Sequence, residues 1–255
     1  MAGQNRAGLR IRAAWVFGAG LGASLLSGCL PASETSSGTV SHPQVASTTD
    51  APLPATEAAQ NFVAVVSRVE PLAESMCRAR TTNVNCDFQI VVDDRPGQPA
   101  NAFQTLDAQG RPILGFTLAL IADARNADEI AFVLGHEASH HILGHIPQQQ
   151  QSARTGAILA GVLASAGGGD QAAIEAAQQI GASLASRSYS KEYELQADAL
   201  GTEIAVRAGY DAVRGAAFFD RMPDPGNRFL GSHPANAQRK ATVRRVQYEL
   251  TGVAY

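Results

Sequence analysis

The chain has no glycine-rich phosphate loop, no dinucleotide fingerprint and no internal repeat array, so the phosphate-cradling and solenoid classes are excluded. It has only three cysteines, too few for a disulfide-scaffold fold. Cys77 and Cys86 have no histidine near them, which argues against a cysteine metal site there. Charge is sparse, with 17% Asp, Glu, Lys and Arg, and the net value of −3 argues against a nucleic-acid partner. No run of apolar residues is long and strong enough for a spanning helix. No helical-repeat extension follows the last helical pattern, so partners must meet the main domain or the N-terminal segment.

What is present starts at the N-terminus. Arg6, Arg10 and Arg12 precede an apolar stretch over residues 13 to 26, the layout of a signal peptide covering residues 1 to 28. Leu26-Ser27-Gly28-Cys29 has the form of a lipobox, which would make Cys29 a lipidated first residue. No aspartate follows it. By sorting analogy this places the mature chain in the cell envelope, on the periplasmic face of an outer membrane. Several acyl chains on one residue would anchor it stably. Loss of three arginines and no acid takes the net charge from −3 to about −6. Residues 29 to 56 are rich in Ser, Thr, Pro and Ala and read as the lipidated cysteine plus a disordered tether carrying His42. Residues 57 to 255 read as one domain. Outside the cytoplasm, Cys77 and Cys86 are expected to form a disulfide; two buried thiols are the alternative.

The densest chemistry lies in His136-Glu137-Ala138-Ser139-His140. At about 100° per residue, positions four apart on a helix sit one above the other, so both imidazoles can reach one ion. Glu137 lies between them in angle and can reach a water on that ion. This is the HExxH arrangement of metal hydrolases. Asn126-Ala127-Asp128-Glu129 supplies a capping-box start, Ile130, Val133, Leu134 and Ile142 an apolar face, and Gly144 an end.

A catalytic ion needs a third protein ligand. The longer HExxHxxGxxH form fails, because Leu143 and Ile146 occupy its glycine and last histidine positions. Glu194, in a later helical stretch, is the better source. Asp198, one turn on, can hydrogen-bond a ligand imidazole from behind and fix its tautomer. Glu192 is the competing ligand and ranks second, being about 160° round the helix from Asp198. His141 and His145, placed on a continuous helix, point away from His140. The oxyanion stabiliser is not identified by the pattern; His233, Arg239, Tyr189 and Tyr193 are the candidates. His233, in a Gly/Pro-rich segment from Pro223 to Pro234, could also cap the metal and hold the enzyme latent.

At these residues the chain resembles the M48 zinc metallopeptidases, and among them the short bacterial lipoproteins. Asn101-Ala102-Phe103 is similar to the family's strand ahead of the active-site helix, Tyr189 to Asp198 to its second signature, and Ser232-His233-Pro234 with Arg239 to its closing motif. Lys191 and Gln196 replace residues more often seen as Arg and Glu. The resemblance implies an α+β, zincin-like fold, mostly helical, with a small β-sheet flanking the active-site helix. It implies His136, His140 and Glu194 as ligands to one Zn2+ per chain, Glu137 as catalytic base, and weight on His233 and Arg239 as oxyanion or latency residues. The function expected is an endopeptidase acting on extended protein or peptide substrates, misfolded or misassembled envelope proteins being the implied class. An envelope chaperone using the same cleft without proteolysis is the alternative.

Around the site, Phe62 to Met76 marks a first helix with Pro71 inside, and Phe88 to Val92 a strand. Residues 101 to 106 and 112 to 116 read as a hairpin that edges the cleft and could pair with substrate. Helices are expected near 191 to 208, 212 to 222 and 235 to 250. The uncharged stretch from Thr155 to Gly169 is expected to be a helix or a lid near the cleft, with bilayer contact a weaker option.

Overall fold

The helix that carries the HExxH residues is apolar on nearly every side, and such a helix must be enclosed. In the computed structural model, which describes residues 52–188, 190–224 and 234–254, it is the central element. It spans Ala127–Ile142 (α3) and is buried almost continuously from Glu129 to Ser139. Helices α1 (Ala55–Arg80), α6 (Ser190–Arg207) and α7 (Ala212–Gly215) pack round it, with a small sheet on the remaining side. Strands β1 (Gln89–Asp93), β2 (Ala102–Leu106) and β3 (Pro112–Thr117) form that sheet in the order β1-β3-β2. The hairpin β2–β3 is antiparallel, as expected, while β1 joins β3 in parallel. The remaining elements are α2 (Leu118–Asp123), α4 (His145–Ala166), α5 (Gln171–Ser188), a 3-10 turn at Ala216–Asp220 and α8 (Asn236–Thr251). The architecture is the α+β, mostly helical one that the sequence implied. All described residues belong to one compact unit, Thr49–Tyr255.

The core lies where α1, the sheet and α3 meet. Val65, Val69 and Ala73 are fully buried against Leu114, Phe116, Leu134 and Ala138. The rings of Phe62 and Phe116 meet edge-on at 5.2 Å. Helix α1 runs on through Pro71 and starts at Ala55, two residues inside the stretch assigned to the tether. Cys77, in its last turn, stands at disulfide distance from Cys86, with Cα atoms 5.8 Å apart. The Glu74 carboxylate accepts the backbone N–H of Phe88 at 3.1 Å. Together these pin the end of α1 to the lead-in of β1. No described helix is long and apolar enough to cross a membrane. Cys29, His42, Tyr189 and His233 lie outside the described residues, so the signal peptide, lipidation and latency expectations fall there too.

The start of α3 differs in one detail from the expected capping box. The Asn126 side chain accepts the Glu129 N–H at 3.1 Å, as expected. The Glu129 carboxylate does not return to Asn126; it accepts the N–H of Arg125 at 2.9 Å and two bonds from Arg221. A buried carboxylate needs a charged partner, and Arg221 supplies one from the far side of the cleft.

On α1, Glu70 is half-buried; burial, then Glu74 and Asp87, push its carboxyl up to about 7 from an ordinary 4.5. The folded chain therefore holds a proton there that the unfolded chain has lost. Stability from this group is present below about pH 4.5 and declines as pH rises to about 7. Glu70→Gln should remove that decline, gaining on the order of 1 kcal/mol over wild type at pH 8 once solvent screening is allowed for. Melting curves of both proteins at pH 4.5 and pH 8 test this; an equal gap at the two pH values would refute it.

Candidate metal centre and active-site cleft

The site is built by α3 crossing α6 at backbone contact. A Cβ added to Gly135 would fall 2.7 Å from the carbonyl oxygen of Gly201, and one on Gly201 would fall 2.7 Å from the backbone N of His136. Two glycines facing each other are what let the helices approach this far. Glu194 and Asp198, two turns and one turn before Gly201, are thereby carried beneath His136 and His140. Gly215 makes a similar approach to Asp128 and Phe132 and seats α7 against α3.

Three ligand atoms converge as expected. His136 Nε2 and His140 Nε2 are 3.0 Å apart, and they lie 3.6 and 3.5 Å from the two Glu194 oxygens. Ligands at about 2.0–2.1 Å around a tetrahedral ion stand roughly 3.3 Å from one another, so the spacing fits. Among the described residues, His136, His140 and Glu194 form the one group able to hold a metal ion. Glu192, the competing ligand, is exposed and accepts a hydrogen bond from Gln196 instead.

The two imidazoles are held by different means. His136 Nδ1 stands 3.0 Å from Asp198 Oδ1 and donates to it, leaving Nε2 as the lone pair toward the centre. Asp198 is fully buried and is clamped by Arg239 through two bonds of 2.8 and 2.6 Å. Burial alone would raise the Asp198 carboxyl; Arg239 and His136 outweigh it and keep the group below its ordinary value. Arg239 also lies 3.4 Å from Glu194 Oε2 and stacks over the Phe219 ring, 4.0 Å from its centroid. Arg239 lines the cleft, and its guanidinium is engaged by two carboxylates, which ties it to the ligand framework.

Among the described residues, His140 is backed by an imidazole rather than a carboxylate. Its Nδ1 lies 2.9 Å from Nδ1 of His145, and His145 Nε2 lies 3.3 Å from Gln196 Oε1. The amide oxygen can only accept, so His145 carries its proton on Nε2 and accepts at Nδ1. His140 must then donate from Nδ1, which directs its Nε2 lone pair to the centre. Burial, followed by His136, depresses His140 to about 3, and burial depresses His145, so both are neutral as this chain of bonds requires. Tyr193, one of the oxyanion candidates, stacks on His145 at 4.5 Å between centroids. It does not line the cleft.

Sequence reasoning missed His145 because it treated the helix as continuous. Gly144 adopts φ 68°, the left-handed region, and starts α4 in a new direction at His145. That turn brings the buried His145 ring back to His140. A glycine immediately before the extra histidine was the available signal. His141 faces out, bonded to the Asn85 carbonyl at 2.8 Å and edge-on to Phe88.

Above the three ligands opens a cleft of about 400 Å³. Asn101 and Ala102 form one wall, Phe218 and Phe219 the other, with Glu137 beside His136 and His140. Burial pushes the Glu137 carboxyl up to about 7. Strand β2 pairs only with β3 among the described strands, and its first residue, Ala102, lines the cleft. Helices α4 and α5 contribute nothing to the cleft walls.

Residues 59–247 match Peptidase family M48. The chain belongs to this family. It is also similar to Metalloprotease LoiP of Escherichia coli (strain K12), with 26% identity over 130 residues. That alignment spans 49% of the chain and 51% of the relative, so the chain covers about half the length of the curated protein it matches. His136, His140 and Glu194, all within the matched region, are the residues that could hold a metal ion.

Two substitutions test the supports of the centre. Gly201→Ala should cost about 2–3 kcal/mol of stability and loosen metal binding, because its methyl meets backbone that cannot yield. A crystal structure or metal titration showing no change would refute the close-contact account. His145→Leu should weaken metal affinity by about 10–100-fold in a chelator competition. His145→Asn, which can accept near the Nδ1 position, should recover part of it; equal affinity in all three proteins would refute the relay.

Proposed function

We propose that the protein is a zinc-dependent endopeptidase that cleaves extended polypeptide in the cell envelope. The observation that carries this is Glu137, set in the cleft beside a two-histidine, one-glutamate ligand set. That donor set of two imidazole nitrogens and a carboxylate suits Zn2+ and leaves one coordination position open. When bound, zinc would supply Lewis acidity toward water and carbonyl.

The remaining chemistry belongs to the chain. Glu137, whose proton affinity burial brings close to neutrality, takes a proton from the attacking water at its carboxylate. It then gives that proton to the leaving amine. Asp198 and His145 keep each ligand imidazole in the tautomer that presents Nε2. The edge of β2 offers backbone groups that an extended substrate can join as an added strand. Such a mode reads main chain more than side chain, which suits unfolded or misassembled proteins.

The envelope setting rests on residues 1 to 29: a basic start, an apolar stretch and Leu26-Ser27-Gly28-Cys29. We assign Cys29 as the lipidated residue and residues 30 to 54 as the tether. The Cys77–Cys86 bond accords with an oxidising compartment. Outer-membrane location on the periplasmic side is part of this reading.

Glu137→Gln should retain one bound metal per chain and lose cleavage of an unfolded protein by about 10²–10⁴-fold. Metal analysis and a casein digestion assay on both proteins check this. Equal cleavage by the variant would sink Glu137 as the base. Metal in both with cleavage in neither would favour a strand-holding chaperone that uses the same cleft.

A further inference from the structure

Helices α4 and α5 form an arm that packs mainly on itself. Gly156 and Gly181 meet at backbone contact, and Ala160 and Ala185 close the same seam. Small residues thus occupy the side of α4 that faces α5. The rest of α4 is bulky and open: Ile158, Leu159, Val162 and Leu163 are between 59% and 66% exposed. From Thr155 to Gly169 there is no charged residue at all. A helix apolar on every side belongs under cover, and here only one side has it. Ile180 of α5 is 60% exposed. In an antiparallel pair, a rotation of about 100° per residue brings it round to the flank that bears Leu159 and Leu163.

We propose that this flank is a self-association surface, on which two copies of the chain pack arm against arm as a four-helix bundle. Three observations select a second copy as the occupant. The first is charge. A surface that meets its own image is penalised for every charge it carries, and α4 carries none from Thr155 onward, while Glu175 sits on the opposite flank of α5. The second is area. Leu159, Val162, Leu163 and Ile180, about 100 Å² exposed each, give on the order of 400 Å² per copy before the intervening alanines are counted, about half of the roughly 800 Å² of a stable interface. The third is the poor match to lipid. From His145 to Ser188 the arm holds two cations, Arg154 and Arg187, against two acids, Asp170 and Glu175, and no lysine. Helices that lie in a bilayer surface are rich in Lys and Arg. The arm also falls short of a spanning helix. Two short-looped helix pairs joining by an apolar flank is the ordinary construction of a four-helix bundle.

Sedimentation equilibrium of the purified chain from 1 to 100 µM should show a monomer–dimer equilibrium. The double variant Leu159→Glu/Leu163→Glu should weaken it at least tenfold with unchanged metal content and melting temperature, since both side chains are exposed. In cells expressing the full chain, Leu159→Cys should cross-link to a second copy under mild oxidation. Glu175→Cys and the unsubstituted chain should not exceed background. A wild-type chain that stays monomeric at 100 µM, with Leu159→Cys no better cross-linked than Glu175→Cys, overturns the proposal. So does a monomer that sediments with phosphatidylcholine vesicles and loses this in Leu159→Glu/Leu163→Glu, because the flank would then be a lipid surface.

Discussion

The close crossing of α3 and α6 at Gly135 and Gly201 is the constraint on which the site depends. Ligand atoms from two helices can surround one small ion only if the helix axes come within the reach of a histidine and a glutamate side chain. Ordinary side chains at the crossing would hold the backbones farther apart and leave Glu194 short of His136 and His140. The two glycines each lower helix propensity, by about 1 kcal/mol relative to alanine. Burial of α3 on all sides offsets that, with Ile130, Phe132 and Leu134 nearly inaccessible to water.

Around this crossing the two imidazoles have unequal supports. His136 is backed by a charged pair, Asp198 with Arg239, buried beneath the site. A buried ion pair is a weak source of net stability but a strict one in geometry, since removal of either partner strands a charge. His140 is backed by neutral groups, His145 and Gln196, whose hydrogen-bond directions settle its tautomer without adding charge. The neutral support suits a position beside Glu194 and His136, where a further carboxylate would compete for the ion and raise the affinity of both histidines for protons. Arg239 balances the carboxylates already present and, by lying over Phe219, ties α8 to the cleft wall.

Much of this was legible in the residues. His136, Glu137 and His140 follow from helical spacing, and Asp198 from its place one turn after Glu194. The capping role of Asn126 and the β2–β3 hairpin were readable from local chemistry. The role of His145 was not, because a single left-handed residue at Gly144 redirects the chain and no helical wheel drawn through it holds. Arg239 was noticed, but its ion pair with Asp198 was not: distance along the chain says nothing about a pair that burial enforces. The paired arm of α4 and α5 was hidden by composition, since runs of Ala and Gly have neither the periodicity nor the caps that mark a helix.

The sequence by itself determined the family, the α+β class and the three residues that could hold a metal, because these rest on spacing within single helical segments and on the resemblance that those segments carry. Only the tertiary structure decided how those segments meet: which glycines touch, which histidine backs which ligand, what Arg239 holds and which face of the arm stays open. Most of those depend on contacts far apart in the chain, as between Asp198 and Arg239, 41 positions apart, or His136 and Arg239, 103 apart. Such contacts are set by the packing of whole helices, and no local pattern in the chain encodes them.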